Sequence, residues 1–392
     1  MTQAIRMLMS GGGTGGHIYP ALAVAEALQT MAAQTNTPLT LTFVGNRYKS
    51  GATGSGLQPS LEATLAGQHH LAFEGLDFRG MPRGKNLSTL VAYLRWLGQL
   101  VVAIFQADAI LQRHRPQVVF TTGGYVTAPL LMAATLRQIP YVIHEPDARP
   151  GLVNWLMGRW ACELTSAFDL PQQALKNPHA VTTGNPIRTR IGHLSKLEAR
   201  KALQLNWSDT QPVLLVMGGS QGAEKLNLAT VEALETILNA GWAVIHQSGV
   251  NKYAQTKALV PKHLMNHHNY RLWPYLDNMP AALAMADLAL CRAGSLTLSE
   301  LAAAGLPSLL VPYPHAAANH QWHNAQVFVQ AGASCLLNDA DCTAEMLLAK
   351  SLPLMHDATR RASMSRAARQ LGKPEAAAAI AQRLLTLALS QT

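Results

Sequence analysis

Short apolar runs alternate with longer helical stretches along this chain of 392 residues. The runs are rich in apolar and β-branched residues and are bounded by glycine-containing or polar turns, which predicts buried strands. Strands that alternate with helices are typical of parallel α/β sheets. We therefore predict a parallel α/β fold. The predicted strands are 5–9, 39–44, 117–121, 141–144, 213–217, 243–247, 288–291 and 308–311.

A break near residue 188 separates two series of strands and helices. A charged helical segment at 194–205 follows the break, and the second series opens at Val213. A chain of this length with 48% hydrophobic residues can bury two cores. We predict domains at 1–188 and 189–374. The alanine- and leucine-rich segment 375–392 predicts a helix that can pack on either domain, the first being preferred.

The apolar segment 87–110 has two interpretations, and it is too often interrupted by polar residues to span a bilayer. Its apolar residues recur at helical spacing, so the helix can pack on its own sheet. In the second interpretation, exposed apolar residues insert into an anionic membrane surface while basic residues bind headgroups. Both interpretations can hold if different residues lie on different faces of the helix. The second interpretation assigns membrane contacts to Arg83, Lys85, Leu90, Tyr93, Arg95, Trp96 and Leu97.

The formal net charge of +9 predicts an anionic partner. Aromatic residues make up only 6% of the chain and do not alternate with basic ones, which disfavours nucleic acid. The four cysteines lack metal-ligand spacing, so we expect neither a disulfide framework nor a metal site. The first six residues lead directly into a strand, and we expect a chain that is not secreted.

The segment 11–17, with sequence GGGTGGH, follows the first predicted strand and precedes a helix. Glycines allow backbone N–H groups to approach a ligand closely, and the start of a helix favours negative charge. We therefore expect a phosphate group at this loop. His17 is the one side chain of the loop that can transfer a proton near neutral pH.

The same glycines also fit the fingerprint of a dinucleotide-binding domain. That interpretation requires an acidic residue after the second strand to bind the ribose. Here the strand at 39–44 is followed by Gly45, Asn46 and Arg47. Because an arginine can accommodate a 2′-phosphate, an NADP-dependent reductase remains an alternative.

The segment 291–307 places hydroxyl side chains at the start of a predicted helix. Ser295, Thr297 and Ser299 are expected to gather there with free backbone N–H groups, an arrangement suited to a diphosphate. We expect Glu300 in the first turn. Its carboxylate can accept hydrogen bonds from ribose hydroxyls, or it can stabilise the start of the helix.

Six motifs occur in a characteristic order over essentially the whole chain. On these motifs the chain resembles the MurG family, the UDP-N-acetylglucosamine transferases that convert lipid I to lipid II in peptidoglycan synthesis. The motifs lie at 13–17 (GTGGH), 144–146 (HEP), 184–188 (GNPIR), 218–223 (GGSQGA), 292–300 (RAGSLTLSE) and 320–325 (HQWHNA).

The resemblance implies a GT-B fold: two Rossmann-like domains with parallel sheets that face a central cleft. It implies that the C-terminal domain binds UDP-GlcNAc, that the N-terminal domain binds lipid I, and that no cofactor or metal is used. The implied UDP-GlcNAc contacts are Thr14, Gly15, Gly16, Asp147, Arg188, Ser220, Leu276, Ser295, Leu296, Thr297, Leu298, Ser299, Glu300 and Gln321. Gly12, Gly13, His144 and Glu145 are the implied contacts of the acceptor and its diphosphate.

The family resemblance also implies an inverting reaction, which needs a base for the acceptor hydroxyl. His17 is our choice, with a purely hydrogen-bonding role as the alternative; His144 and Glu145 rank second. The family usually has asparagine where this chain has Asp147, and an ionised aspartate can only accept hydrogen bonds.

We expect a peripheral enzyme on the cytoplasmic face of the cell membrane, bound to its anionic inner leaflet. Contacts with other cell-wall synthesis or division proteins are also expected. Two alternatives remain open: a GT-B enzyme with a diacylglycerol or sterol acceptor, and a non-enzymatic protein that binds a nucleotide sugar.

Overall fold

The structure, a computed structural model, describes residues 4–49, 58–82, 87–170, 172–188, 190–219 and 221–391. The chain divides into two compact units. The N-terminal unit contains Met1–Ile187 and Glu375–Thr392, and the C-terminal unit contains Arg188–Pro374. The glycine- and serine-rich segment 50–60, for which the sequence predicts a surface loop, lies mostly outside the described residues.

A parallel sheet forms the centre of the N-terminal unit. Its strands, in the order β3-β2-β1-β4-β5-β6-β7, reverse direction of winding between β1 and β4. They are β1 (Ile5–Ser10), β2 (Leu39–Asn46), β3 (Ala72–Leu76), β4 (Val118–Thr121), β5 (Tyr141–Glu145), β6 (Glu163–Ser166) and β7 (Ala180–Thr182). The helices described before the break are α1 (Gly15–Gln34), α2 (Leu61–Gln68), α3 (Leu87–His114), α4 (Thr127–Leu136), α5 (Leu152–Met157) and α6 (Gln172–Leu175).

A second parallel sheet forms the centre of the C-terminal unit, in the order β10-β9-β8-β11-β12-β13. Its strands are β8 (Val213–Met217), β9 (Ala243–Gln247), β10 (Tyr270–Trp273), β11 (Leu288–Cys291), β12 (Ser308–Leu310) and β13 (Ser334–Leu336). Its helices are α7 (Lys196–Ala202), α8 (Glu224–Asn239), α9 (Tyr253–Leu259), α10 (Lys262–Met265), α11 (Met279–Met285), α12 (Ser295–Ala304), α13 (His320–Gln330), α14 (Ala344–His356) and α15 (Ala358–Leu371). The last helix, α16 (Ala376–Leu389), belongs to the N-terminal unit.

Helices cover both faces of the N-terminal sheet, and alternation along β1 shows why. Met7 and Met9 point into a core shared with α1 and α16, whereas Leu8 points into a core shared with α3 and α4. Successive side chains of a strand point to opposite faces, so a strand buried on both sides is apolar throughout. The predicted parallel α/β fold is confirmed.

The winding of both sheets reverses beside their first strands, between β1 and β4 and between β8 and β11. Doubly wound sheets bind ligands at the carboxyl ends of strands next to this reversal. The loop 11–14 follows β1, and the loop 218–223 follows β8. Both glycine-rich loops therefore lie where such folds bind ligands.

The interpretation that the apolar stripe of α3 packs on its own sheet is wrong for the first half of the helix. Leu90, Leu94, Leu97 and Val101 are all exposed. The helix is anchored instead by small and aliphatic residues nearer its C-terminal end, which pack beneath α4. These core residues are Ala107, Ile110 and Leu111.

Candidate active site

The glycine-rich loop of the N-terminal unit ends at an uncapped helix start. Thr14 occupies the N-cap of α1 in an extended conformation, and its side chain makes no capping hydrogen bond. The first N–H groups of an α-helix have no acceptor within the helix. The N–H groups of Gly15 and Gly16 at the positive end of α1 therefore offer a binding site for an anion.

A second glycine-containing loop, after β4, packs directly on the first. Gly12 N–H donates to the Gly123 carbonyl oxygen at 3.3 Å. Gly124 has a φ of +92°, and a Cβ there would lie 2.1 Å from the Gly12 carbonyl oxygen. Only glycine allows this approach of one backbone to the other. The contact holds the first loop at the winding reversal.

The His17 ring is oriented by the loop that follows β4. Its Nδ1 lies 2.9 Å from the Thr122 carbonyl oxygen, and Thr122 Oγ1 donates to the His17 carbonyl oxygen. A carbonyl oxygen can only accept, so Nδ1 carries the hydrogen. In the neutral ring Nε2 is then the basic nitrogen, as a general base requires.

His144 lies at the end of β5, completely buried in the N-terminal unit. Nδ1 lies 3.0 Å from Thr165 Oγ1, and Nε2 lies 3.2 Å from Asn185 Oδ1. Burial lowers the pKa of His144 to about 4, so the ring is neutral at physiological pH. These contacts tie β5 to β6 and to the predicted motif at 184–188.

Glu145 is also buried, and it organises the loop after β5. Its carboxylate accepts hydrogen bonds from the N–H groups of Asp147 and Gly151 and from Asn154 Nδ2. Burial, and secondarily the charge of Asp147, raises the pKa of Glu145 to about 7. Glu145 therefore holds the backbone of the loop that carries Asp147, which is half-buried.

The glycine-rich loop of the C-terminal unit packs against the loop after β9. A Cβ at Gly222 would lie 2.0 Å from the Ser248 carbonyl oxygen, and φ of Gly222 is +80°. The buried Gln247 joins this loop to the predicted nucleotide contact. Its Nε2 donates to the Gly219 carbonyl oxygen at 3.2 Å, and its Oε1 accepts from Leu276 N–H at 3.3 Å. The Leu276 N–H is thus already bonded within the unit.

Helix α12 begins at Ser295, with Gly294 at its N-cap and no side-chain cap. The first N–H groups of the helix therefore have no acceptor within it. Two of the residues predicted to contact UDP-GlcNAc already make hydrogen bonds within the helix. Leu298 is buried and its N–H donates to the Gly294 carbonyl oxygen. Ser299 Oγ donates back to the Ser295 carbonyl oxygen at 2.9 Å. At the start of α12, the backbone N–H groups and the Thr297 hydroxyl are therefore more available to a ligand than the Ser299 hydroxyl.

The expectation that Glu300 lies in the first turn is wrong. Because α12 begins at Ser295, Glu300 is in the second turn, where N–H groups already bond within the helix. Its carboxylate is buried, and Oε1 lies 4.0 Å from Arg188 Nε. Burial raises the pKa of Glu300 to about 7, and the charge of Arg188 partly opposes this. A buried carboxylate that does not cap the helix is suited to accept from a ligand hydroxyl.

Gln321 follows the start of α13, and its Oε1 accepts from Tyr313 N–H at 2.9 Å. Its amide nitrogen carries two further donors for a ligand. The preceding segment is held by Arg292, which donates to the Val311 carbonyl oxygen and pairs with Asp339 at 2.6 Å. Arg292 belongs to the sequence motif at 292–300, whereas its acidic partner Asp339 lies outside the six motifs.

Three predicted contacts, Ser220, Arg83 and Lys85, lie outside the described residues. Within the described residues, no three His, Cys, Asp or Glu side chains form a group suited to a metal ion.

The exposed face of α3 carries large apolar residues, including Leu94 at 63% exposure and Phe105 at 69%. Contrary to the expectation from its polar residues, the part from Leu90 to His114 is long and apolar enough to cross a membrane, by length and composition only. Only 11% of its most apolar stretch is buried. Trp96 is half-buried instead, packs near Phe78 and donates to the Arg79 carbonyl oxygen. The membrane-contact candidates thus separate into an outward group, Leu90, Arg95 and Leu97, and the half-buried Tyr93 and Trp96.

A further exposed aromatic group lies on α5 and just after it. Lys176 Nζ lies 3.5 Å from the centre of the Trp155 ring, and the Arg159 guanidinium lies 4.3 Å from that of Trp160. Neither tryptophan is among the predicted membrane contacts, although tryptophan beside basic residues is a recognisable interfacial pattern.

Two doubly wound parallel sheets, each with an uncapped helix start at its winding reversal, match the GT-B architecture found in glycosyltransferases. Residues 213–384 match the glycosyltransferase family 28 C-terminal domain, and 7–42 with 55–165 match the N-terminal domain of that family. The chain belongs to glycosyltransferase family 28, as an enzyme of its UDP-N-acetylglucosamine–N-acetylmuramyl-(pentapeptide) pyrophosphoryl-undecaprenol N-acetylglucosamine transferase group.

Full-length relatives carry that transferase name. The protein from Chlorobium phaeobacteroides is 37% identical over 98% of this chain and 100% of its own length. That from Salinibacter ruber is 37% identical over 99% of this chain and 98% of its own length. The crystal structure of Acinetobacter baumannii MurG superposes with a TM-score of 0.73 at 27% identity, over 98% of this chain and 100% of that one. The predicted family and enzyme class are confirmed, and the reductase alternative is not supported.

Proposed function

We propose that this enzyme transfers GlcNAc from UDP-GlcNAc to the C4 hydroxyl of the N-acetylmuramyl unit of lipid I, undecaprenyl-diphosphate-MurNAc-pentapeptide. The reaction inverts the anomeric configuration and forms lipid II, a precursor of peptidoglycan. One observation carries this proposal: relatives named for this transfer are 37% identical to the chain over nearly its full length. The local geometry described above agrees with the chemistry that the transfer needs.

The C-terminal unit is proposed to bind the donor. The diphosphate of UDP-GlcNAc lies at the start of α12. Its negative charge is stabilised there by the N–H groups of Leu296 and Thr297 and by the positive charge of Arg188. Glu300 accepts from the ribose hydroxyls, and Gln321 donates to a sugar hydroxyl. The buried position of Glu300 strengthens these hydrogen bonds because water does not compete for the carboxylate.

The N-terminal unit is proposed to bind the acceptor, with the diphosphate of lipid I at the loop 11–16. His17 Nε2 takes the proton of the C4 hydroxyl, and the C4 oxygen forms its bond to C1 of GlcNAc as the bond from C1 to the UDP oxygen breaks. The electron pair of that bond leaves with UDP. The Thr122 carbonyl oxygen stabilises the protonated ring through Nδ1–H.

His144 and Glu145 are proposed to act on the site indirectly. Both side chains are buried and make several hydrogen bonds within the unit. His144 joins β5 to β6 and to Asn185, whereas Glu145 orders the loop that contains Asp147. Both leave contact with the substrate to their neighbours. His17 therefore remains our choice of base.

We further propose that α3 holds the N-terminal unit on the anionic cytoplasmic face of the cell membrane. Leu94, Leu97 and Phe105 insert among the lipids, and basic residues such as Arg95 bind headgroups. The net charge of +9 contributes attraction to the same surface. Contacts with other cell-wall synthesis or division proteins remain an expectation.

The experiment that tests the reaction is transfer of labelled GlcNAc to a short-chain lipid I analogue in EDTA, with UDP-GalNAc as a competing donor. Turnover with preference for GlcNAc supports the donor, the acceptor and metal independence together. Binding of UDP-GlcNAc without transfer contradicts the acceptor assignment. Transfer to diacylglycerol or a sterol in place of the analogue favours another lipid acceptor.

A further inference from the structure

A buried carboxylate lies behind the glycine-rich loop of the N-terminal unit. Glu62, on α2, is 5% exposed, and its Oε1 accepts a hydrogen bond from Gly13 N–H at 2.9 Å. The two residues are 49 positions apart in the chain. A buried carboxylate costs free energy unless it is hydrogen-bonded, so this contact ties the loop to α2.

Two glycines make room for Glu62. A Cβ at Gly12 would lie 2.4 Å from Glu62 Oε1, and a Cβ at Gly45 would lie 2.7 Å from Glu62 Cβ. Both distances are shorter than packed atoms allow. The glycines on β2 and in the loop therefore pack closely around the Glu62 side chain. A larger residue at Gly12 or Gly45 would displace Glu62 from its present position.

The start of α2 is itself held in place. Ser60 Oγ accepts from Ala63 N–H at 3.0 Å as the N-cap, and Ser60 N–H donates to the Arg47 carbonyl oxygen at 3.2 Å. Glu62 lies in the first turn, where the N-terminal end of the helix stabilises a negative charge. The carboxylate thus approaches Gly13 from a rigid element that is joined to β2.

The contact decides which N–H groups of the loop remain for a ligand. The Gly13 N–H is occupied by Glu62, whereas Gly15 and Gly16 lie at the uncapped start of α1. Holding the Gly12–Gly13 peptide in place restricts the path of the chain through Gly13 and Thr14 into α1. A preorganised N-terminus binds an anion without first ordering its own backbone.

We infer that Glu62 is a positioning residue for the acceptor diphosphate: by accepting the Gly13 N–H, it orients the Gly15 and Gly16 N–H groups toward the diphosphate. This inference rests on the proposed function, because it assumes that the loop binds the diphosphate of a lipid acceptor. Glu62 itself does not touch the substrate. Its effect passes through the backbone of the loop.

The test compares Glu62→Ala with Glu62→Gln, whose amide oxygen can still accept from Gly13 N–H. Loss of a hydrogen bond to a charged group corresponds to a change of about tenfold or more. We expect Glu62→Ala to raise KM for a short-chain lipid I analogue about tenfold, with kcat and the Kd of UDP-GlcNAc nearly unchanged. Glu62→Gln should stay within about threefold of wild type. Glu26→Ala, which removes an exposed carboxylate of α1, is the control.

Amide hydrogen exchange in segment 11–16 measures the effect of Glu62 on the loop in the absence of substrate. Exchange at Gly13 should accelerate in Glu62→Ala and stay slow in Glu62→Gln. An unchanged KM in Glu62→Ala, or equal impairment of the two variants, overturns the inference. A parallel loss of UDP-GlcNAc affinity also overturns it, because it would mean either general damage to the fold or that Gly15 and Gly16 serve the donor, as the family resemblance implied, and not the acceptor.

A second measurement separates this inference from the proposed function. If wild-type enzyme transfers no GlcNAc to the analogue, the proposed acceptor is wrong. Binding of geranyl diphosphate, measured by calorimetry, then decides the role of Glu62 alone. Binding that is about tenfold weaker in Glu62→Ala supports it. Equal binding by wild type and variant, or no binding by wild type, overturns it.

Discussion

His17 and Thr122 hold each other through two hydrogen bonds, although 105 positions separate them in the chain. The Thr122 carbonyl oxygen accepts from His17 Nδ1, and Thr122 Oγ1 donates to the His17 carbonyl oxygen. This pair joins the start of α1 to the loop after β4. It also selects Nε2 as the basic nitrogen of the neutral ring, which is the feature that suits His17 to remove a proton.

We predict that His17→Ala lowers kcat about a hundredfold or more, because removal of a general base costs about that much. The Kd of UDP-GlcNAc should not change, since the donor is proposed to bind chiefly to the C-terminal unit. Steady-state kinetics and calorimetry measure the two effects. His69→Ala, which removes an exposed histidine of the same unit, serves as the control. Near-normal turnover in His17→Ala would remove His17 as the base.

We predict that UDP-GlcNAc binds more tightly as pH rises from 6 to 8. The pKa of Glu300 is raised to about 7, so the free enzyme is mostly protonated there at pH 6 and mostly ionised at pH 8. An ionised carboxylate can accept a hydrogen bond from each of the two ribose hydroxyls. A protonated carboxyl group is less suited to this, because one of its oxygens carries the proton. Affinity should therefore increase by up to about tenfold across this range. Calorimetry on Glu300→Gln should show weak binding of UDP-GlcNAc that does not change with pH. If the variant keeps the pH dependence of wild type, Glu300 is not the group that binds the ribose.

We predict that Asp147→Asn retains transferase activity. The loop is held by Glu145, which accepts the N–H of residue 147 whichever side chain is present. Asparagine also removes the negative charge that helps to raise the pKa of Glu145. Activity within about threefold of wild type is expected, because no backbone hydrogen bond is lost. A large loss of kcat would show that the carboxylate of Asp147 has its own role.

We predict that Leu97→Ser combined with Phe105→Ser weakens binding to anionic vesicles about tenfold or more, because both exposed side chains lose contact with lipid. Sedimentation with vesicles measures this. The same pair should leave thermal stability nearly unchanged, since neither residue is buried. Leu228→Ser, an exposed leucine of the C-terminal unit, is the matched control. Unchanged vesicle binding by the pair would remove this face of α3 from the membrane model.

Trp96→Ser should behave in the opposite way. Its ring packs near Phe78 and its indole N–H is bonded to the Arg79 carbonyl oxygen. Replacement removes buried aromatic area and a hydrogen bond, so the melting temperature should fall. Vesicle binding by the folded protein should change less than in the Leu97 and Phe105 variant. A loss of vesicle binding at unchanged stability would place Trp96 among the lipid contacts.

Much of the fold follows from local patterns in the sequence. The strands at Val213–Met217, Ala243–Gln247 and Leu288–Cys291 occur at the predicted positions, because each is a short apolar run that ends in polar or glycine residues. The glycines after β1 and β8 predicted ligand loops, since few other residues tolerate such backbone approach. Family membership also follows from the order of the motifs.

Tertiary structure alone decided which distant residues support the site. Thr122, Glu62 and Gln247 contact their loops only because particular strands are neighbours in the sheets, and periodicity within one segment contains no such information. The same holds for α3: helical spacing shows which residues share a face, but whether that face meets the core depends on neighbouring elements. Here α4 covers the half of α3 with small residues and leaves the leucines exposed. The sequence pattern determined eight of the thirteen described strands and the chemistry of the loops, whereas packing determined which distant side chains contact those loops.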